Sequence, residues 1–304
     1  MKTLASGIGY IDLQFLGQPD VIATAVIHGP GGVALVDPGP ATCLDTLEQA
    51  LASHGMGVLD VRQIILTHIH LDHAGATGSL VRKNPAIAVY VHARGARHLI
   101  DPSRLLDSAT RLYGDDMQRL WGDVLPVPAD RVTSLEGGER VPASNRELDV
   151  AYTPGHASHH VSYFDRASGV AYVGDTAGVR TAQADYVLPP TPPPDIDLEV
   201  WRESLARIEA WGSSTLFLTH CGPAAEPASH LRRLDEQLTI VGEMVRRSLT
   251  LEDTDEDRFA SFAEEFGRHL RRQLPAATAA RYERAAPLSY NWQGLARYWR
   301  KKTG

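Results

Sequence analysis

Cysteine is nearly absent, with Cys43 and Cys221 the two in 304 residues. Two thiols cannot build a disulfide framework, which excludes a small stapled fold and suits a reducing compartment. Long apolar runs are also missing, and none nears the roughly 20 residues a bilayer span requires. The opening Met1-Lys2-Thr3-Leu4-Ala5-Ser6-Gly7 lacks the apolar core of a secretory signal. A cytoplasmic protein without membrane attachment is the expectation. Aromatics make up 7% of the chain, and no basic stripe interleaved with stacking rings is present, which disfavours nucleic-acid binding. The net charge of −7 is uneven, because residues 245–304 carry twelve basic and eight acidic side chains. There Arg271, Arg272, Arg281 and Arg284 are interleaved with Glu264, Glu265 and Glu283, the pattern of solvated helix faces.

What is present is an ordinary globular composition, 43% hydrophobic and 22% charged, in a length that allows one large domain or two modest ones. Residues 8–16, 21–28, 33–36, 63–66 and 87–91 read as strands, broken by Gly and Pro. Residues 148–152, 161–164 and 170–173 form a second strand set, with 215–218 one more. Helices are expected at 42–54 and 74–83, with an inserted helical pair at 103–121. Five prolines between 188 and 195 make a rigid extended connection. Beyond it, Leu198, Trp201, Leu205 and Ile208 share a helix face, as do Leu231, Leu234, Leu238, Val241 and Val245. Phe259, Phe262, Phe266, Leu270 and Leu274 form another stripe. Two strand groups separated by helices imply two sheets in one body, followed by a mostly helical C-terminal extension.

The chemistry concentrates in Thr67-His68-Ile69-His70-Leu71-Asp72-His73-Ala74-Gly75. Three imidazoles and a carboxylate within six residues are too dense for packing to explain, and both groups are natural ligands of zinc and related divalent ions. The run follows an apolar strand directly, so it sits at a strand's C-terminal end. His68 and His70 share a face of an extended segment, while Asp72 and His73, past a turn, address a second point. One loop can then serve two metals. Further candidates stand in the same context. Thr153-Pro154-Gly155-His156 follows the strand ending at Tyr152, Gly174-Asp175-Thr176 the one ending at Val173, and Thr219-His220 the one ending at Leu218. Four strand ends presenting His or Asp to one edge point to a dimetal site.

These segments, in this order, resemble the metallo-β-lactamase-fold hydrolase superfamily over residues 22–223. Val36-Asp37-Pro38-Gly39 matches that family's early Asp-containing turn. The resemblance implies an α+β fold, a four-layer αβ/βα sandwich of two mixed β-sheets flanked by helices, with metals at one edge between the sheets. It divides the chain into a catalytic domain at 1–225 and a helical C-terminal extension at 226–304 packed on it. It implies that His68, His70 and His156 bind one ion and Asp72, His73 and His220 the other, with Asp175 bridging. Asp37 would support the metal loop, and His160 the ligands. Departures narrow the branch. Asp175 stands where some zinc β-lactamases carry Cys and others lack a bridging carboxylate. His70 stands where the flavodiiron branch has a carboxylate, and 44 residues between Asp175 and His220 leave no room for a nuclease cap. The remaining likeness is to the glyoxalase II-like and lactonase-like branch. Cys221 stands where many relatives have Gly and is read as a buried, inert thiol.

Two divalent ions about 3.5–4 Å apart make a nucleophilic hydroxide from a bridging water at neutral pH. The resemblance and this chemistry together imply a metal-dependent hydrolase acting on a small ester-like molecule, with Asp72 and Asp175 the catalytic carboxylates. A thioester or lactone comes first. Phosphodiester or phosphotriester hydrolysis, weak β-lactam cleavage, a mononuclear-iron persulfide dioxygenase and a metal-holding scaffold are the other readings. Zinc is the default ion, and iron or manganese also fit such ligands. Substrate contacts are expected from residues 101–123, the 178–195 loop and the C-terminal helices, with Arg180, Tyr186 and Tyr290 as candidates, Tyr290 within a Tyr290-Asn291-Trp292 cluster. The basic glutathione-binding signature of glyoxalase II is not identifiable, which disfavours a glutathione thioester. His28, His54, His92, His98, His159, His230 and His269 are read as surface or packing residues, and Gly29-Pro30-Gly31-Gly32 as a hairpin turn. Apolar stripes on the C-terminal helices leave room for a homodimer.

Overall fold

The computed structural model describes residues 1–181 and 184–303, the side chains of 283–285 excepted. Residues 182–183 of the 178–195 loop, and the Glu283 and Arg284 side chains, therefore lie outside the described residues. One sheet runs in chain order through β1 (Lys2–Ala5), β2 (Ile8–Asp12), β3 (Ala23–Gly29), β4 (Gly32–Val36), β5 (Val61–Ile65), β6 (Ala88–His92) and β7 (Val132–Leu135). The second runs through β8 (Arg140–Ala143), β9 (Arg146–Tyr152), β10 (Val161–Asp165), β11 (Val170–Tyr172), β12 (Thr215–Leu218) and β13 (Gly222–Ala224). β1 to β4 pair antiparallel and β4 to β7 parallel, so the first sheet is mixed. The second is antiparallel except for the parallel pair β11–β12.

Period-two alternation sorts each strand's side chains onto two buried faces. In β4, Ala34 and Val36 join the core between the sheets, while Val33 and Leu35 face the helices outside. In β12, Phe217 points inward and Leu216 and Leu218 outward. The outer face of the first sheet is covered by α1 (Leu44–Ala52), α2 (Leu71–Ala74), α3 (Thr77–Lys83) and α4 (Ala93–Ile100). α5 (Ser103–Tyr113) and α6 (Met117–Trp121) form a small cluster of their own beside α2. The second sheet is covered by α7 (Leu198–Glu209), α8 (Pro227–Ser248), α9 (Asp255–Gln273), α10 (Ala276–Ala285) and α11 (Leu288–Thr303). The result is a four-layer αβ/βα sandwich.

Several expectations need correction. The strand expected over 8–16 stops at Asp12, because Gln14 and Leu16 take left-handed backbone (φ 49° and 54°) around a 3-10 turn at Phe15–Gly17. The helix expected over 74–83 is two, and the first, α2, begins inside the histidine run itself. The apolar stripes that suggested a homodimer are largely spent within the molecule, since Leu231, Leu234, Leu238, Val241, Val245, Phe262, Phe266 and Leu270 are buried in one core with the second sheet. Among the described residues the exposed large apolar side chains are Leu16, Leu59, Ile100 and Leu251, which are scattered. No helix among the described residues is long and apolar enough to cross a membrane.

The C-terminal helices reach the proline segment through backbone contact. Asn291 of α11 accepts from the Thr191 N–H at 2.8 Å and, through its carbonyl, from the Thr191 hydroxyl at 3.1 Å. Gly294 permits that approach, since a Cβ there would lie 2.0 Å from the Thr191 carbonyl oxygen.

Candidate metal centre

The chain leaves β4, β5, β9, β11 and β12 at the same edge of the sandwich, and each exit delivers an ionisable side chain. Asp37 follows β4, the histidine run follows β5, His156 follows β9, Asp175 follows β11 and His220 follows β12. Asp37 is fully buried and organises the others. Its Oδ1 accepts from the Thr67 N–H at 2.8 Å. Its Oδ2 accepts from the hydroxyls of Thr67 (2.7 Å) and Thr219 (2.8 Å) and from His73 Nδ1 (2.9 Å). One carboxylate thus ties three segments together, and its own φ of 51° is a conformation Asp tolerates.

The outer contacts assign the histidine tautomers. Thr67 spends its hydroxyl proton on Asp37, so its oxygen receives the proton of His68 Nδ1 at 3.1 Å. His156 Nδ1 donates to the Pro190 carbonyl and His220 Nδ1 to the Val21 carbonyl, both at 2.8 Å. His73 Nδ1 donates to Asp37. In the neutral form of all four rings, Nε2 is left as a lone pair facing inward. The Nε2 atoms of His68 and His156 converge on His70 Nδ1 at 2.9 and 3.0 Å. One proton cannot satisfy three such nitrogens, whereas one cation can.

The second cluster has the same deficit of donors. His220 Nε2 lies 3.1 Å from Asp72 Oδ2 and 3.7 Å from Asp175 Oδ1. His73 Nε2 and Asp175 Oδ1 lie 3.2 Å apart without hydrogen-bond alignment, and each is buried with no partner. Orphaned buried atoms of this kind cost about 1–3 kcal/mol each, and a divalent ion would satisfy them. His68, His70 and His156 form one group able to hold an ion, Asp72, His73 and His220 a second, and His68, His73 and Asp175 a third between them. The donor set of imidazole nitrogens and carboxylates fits zinc, iron or manganese.

Electrostatics divide the site. Burial pushes His68, His70 and His156 down, His70 to about 4, so this end presents neutral imidazoles. At the other end burial opposes charge, but His73 and His220 outweigh it and hold Asp72 at about 2. Asp175 is likewise held low against its burial, chiefly by His73 and His220. Conversely, the carboxylates overcome burial to push His73 and His220 up, so a proton competes with a cation for their Nε2 atoms. The carboxylate end therefore demands positive charge.

Other expected residues fall in different places. His160 stacks on His68 with ring centroids 5.0 Å apart, its Nδ1 meeting the Thr153 hydroxyl at 3.1 Å. Tyr290 lines a cavity of about 390 Å³ that opens onto His70, Asp72, His156, Asp175 and His220. Arg180 and Tyr186 do not, and as candidate contacts at this site they are corrected. An antiparallel bridge between Val179 and Leu188 turns their segment under α8, where both line a separate cavity and Arg180 donates to the Pro223 carbonyl. Trp292 is core, its indole N–H on Ser248. Cys221 is buried, and burial pushes its thiol up to about 12.

Three features escaped the sequence reading. Thr67 and Thr219 are the donors on Asp37, and the repeated Thr-His pair (Thr67-His68, Thr219-His220) was the available signal. Tyr113 sits between the rings of Trp121 and Tyr290, at 5.1 and 5.3 Å, on the wall of the cavity. His159, read as a surface or packing residue, stacks 6.1 Å from His68 and lies 5.6 Å from His70.

Comparison with known proteins agrees with this architecture. The sequence model of the metallo-beta-lactamase superfamily matches residues 17–220. The chain belongs to the metallo-beta-lactamase superfamily. It is similar to the metallo-beta-lactamase fold-containing protein ST1585 of Sulfurisphaera tokodaii, 33% identical over 147 residues, 47% of this chain and 54% of that protein. It is also similar to the hydroxyacylglutathione hydrolase of Thermosynechococcus vestitus, 29% identical over 154 residues, 50% of this chain and 47% of the enzyme. The alignments thus span about half the length of these curated relatives. Among solved structures, the metallo-beta-lactamase family protein TTHA1429 of Thermus thermophilus shares the fold with a TM-score of 0.71 at 22% identity, covering 99% of this chain and 95% of that one. ST1585 from Sulfolobus tokodaii gives 0.66 at 23% identity, covering 95% and 98%.

Proposed function

We propose that this protein is a dinuclear metal-dependent hydrolase of small ester-like substrates, with thioesters and lactones first and zinc the default ion. The observation that carries the reading is the set of inward lone pairs at His68, His73, His156 and His220, whose outer nitrogens are all committed. Together with His70, Asp72 and Asp175 they make seven side chains for two ions. The similarity to an enzyme named hydroxyacylglutathione hydrolase supports the thioester class. When bound, a pair of divalent cations supplies Lewis acidity to a substrate oxygen and lowers the pKa of the attacking water.

The rest falls to the chain's own residues. Asp72 lines the cavity with a carboxylate oxygen 3.1 Å from His220 Nε2, so its carboxylate can orient water there. Tyr113 keeps its hydroxyl protonated, because burial and the nearby Asp72, Tyr290 and Asp175 push it up, and it offers a neutral donor on the cavity wall. Phe15 and Trp121 stack 5.6 Å apart and keep that wall apolar. Two buried free cysteines fit a cytoplasmic enzyme.

The test is elemental analysis with a turnover panel of lactones, thioesters and phosphoesters. About two divalent ions per chain are expected, with hydrolysis abolished by chelation and restored by readdition. Undiminished turnover by a metal-free preparation would refute the reading. Oxygen uptake with a persulfide by an iron-loaded preparation would replace it with the redox alternative.

A further inference from the structure

A second cleft, of about 610 Å³, meets the first at His70, Tyr113, His156 and Pro192, and it is the more basic of the two. The first is walled by Phe15, Val21, Ile22, Trp121 and Tyr290, with the paired Asp116 and Arg119 beside them. The second is walled by Arg94, Arg97 and Arg104 with His98, against the single carboxylate of Asp195. That carboxylate is already engaged by the hydroxyl and N–H of Ser158. None of the three arginines forms an ion pair among the described residues, although the arginines elsewhere on the surface commonly do.

Their placement also works against the helices that carry them. Arg94 lies in the first turn of α4 and Arg104 in the first turn of α5, and neither turn contains an acidic residue. A cation there opposes the positive end of the helix dipole. Asp101, just ahead of α5, is occupied by the Ser103 N–H and hydroxyl. The chain obeys the rule at α9, whose first turn holds Asp255, Glu256 and Asp257. Local choices that cost helix stability mark a functional surface. An additional unmet group lies in the same wall, since His159 Nδ1 is buried without a partner.

We infer that the arginine cleft binds an anionic leaving group, so that the substrate is an ester or thioester joining an apolar acyl part to an alcohol or thiol bearing carboxylate or phosphate. This rests on the hydrolase reading. The acyl part occupies the Phe15–Trp121 cavity, the scissile carbonyl lies at the junction by His70 and His156, and the anion meets the arginines. Hydrolysis adds water across the acyl bond, releasing a carboxylic acid and the anionic thiol or alcohol.

Two measurements test it. The first compares kcat/KM for thioesters of one acyl chain with N-acetylcysteamine (neutral), glutathione (carboxylates) and coenzyme A (phosphates). A charged leaving group should be preferred about tenfold or more at low salt, with the preference fading as ionic strength rises. Whichever charged thiol leads identifies the anion. In the variant Arg94→Gln/Arg97→Gln/Arg104→Gln that ratio should collapse, with retained metal content checking the fold. The second needs no turnover: desulfo-coenzyme A and glutathione sulfonate are titrated calorimetrically onto the wild-type protein and the triple variant. At least one should bind wild type about tenfold or more tightly than the variant. Equal kcat/KM for neutral and charged thioesters, or equal binding of both probes by the two proteins, would overturn the inference and leave the hydrolase reading intact. Absence of turnover with differential probe binding would instead overturn the hydrolase reading.

Discussion

Asp37→Asn separates a buried carboxylate's charge from its shape. Asn also tolerates the left-handed backbone at this position, so φ of 51° adds no new strain. With its amide oxygen kept on the Thr67 N–H, its NH2 group replaces the oxygen that now accepts three protons. Two of those donors are hydroxyls, which can rotate and accept the amide protons instead. His73 has no such freedom: its Nδ1–H then faces a donor. The ring must lose the contact or move its proton to Nε2, which removes the inward lone pair. A hydrogen bond to a charged group is worth about 1.5–3 kcal/mol, so affinity at the Asp72–His73–His220 cluster should fall about 10–100-fold. Competition against a chromophoric chelator would resolve this as one weakened ion beside one retained at His68–His70–His156. Thr219→Val removes a hydroxyl from the same oxygen and should cost about 1 kcal/mol of stability, leaving the His73 proton on Nδ1. Two ions held at wild-type affinity by Asp37→Asn would refute the reasoning.

Other outcomes follow from single contacts. Asp175→Asn, at the atom buried without a partner beside His73, should lower bound metal below two ions per chain, read by elemental analysis after dialysis. Gly294→Ala places a methyl 2.0 Å from the Thr191 carbonyl oxygen and should cost about 1–3 kcal/mol in urea unfolding. Since Pro190 of that segment holds His156, metal affinity should drop as well. Glu199 is held at about 2 by hydrogen bonds from Lys302 and Tyr298. Its folded value lies below the unfolded one, so its stabilisation is present above the ordinary carboxylate range and lost as pH falls toward 2. Glu199 and Lys302 are both half-exposed, so the effect is small; Glu199→Gln should flatten the denaturation midpoint against pH in that window.

Much of the architecture was legible because burial leaves a period. β3, β4 and β12 are apolar on both faces, and α7 and α8 carry stripes that match their buried sides. The four missed strands, β1, β7, β8 and β13, are the edges of the two sheets, and β8 and β13 each contain a proline, Pro142 and Pro223, which a central strand would not accept. α4 was missed because it starts directly at the end of β6 with Arg and Gly in its first turns rather than an apolar stripe. Arg180 and Tyr186 were misassigned by nearness in sequence to Asp175, a criterion that the Val179–Leu188 bridge defeats.

The order of residue types along the polymer was enough to say which side chains leave strand ends, because alternation and turn chemistry act over a few neighbours. It could not say which proton each imidazole carries. That depends on Asp37 meeting Thr219 across 182 positions, His220 meeting Val21 across 199, and Pro190 meeting His156 across 34. Such pairings exist only once two sheets have packed face to face, and they decide whether seven polar groups are a repulsive cluster or a cradle for cations.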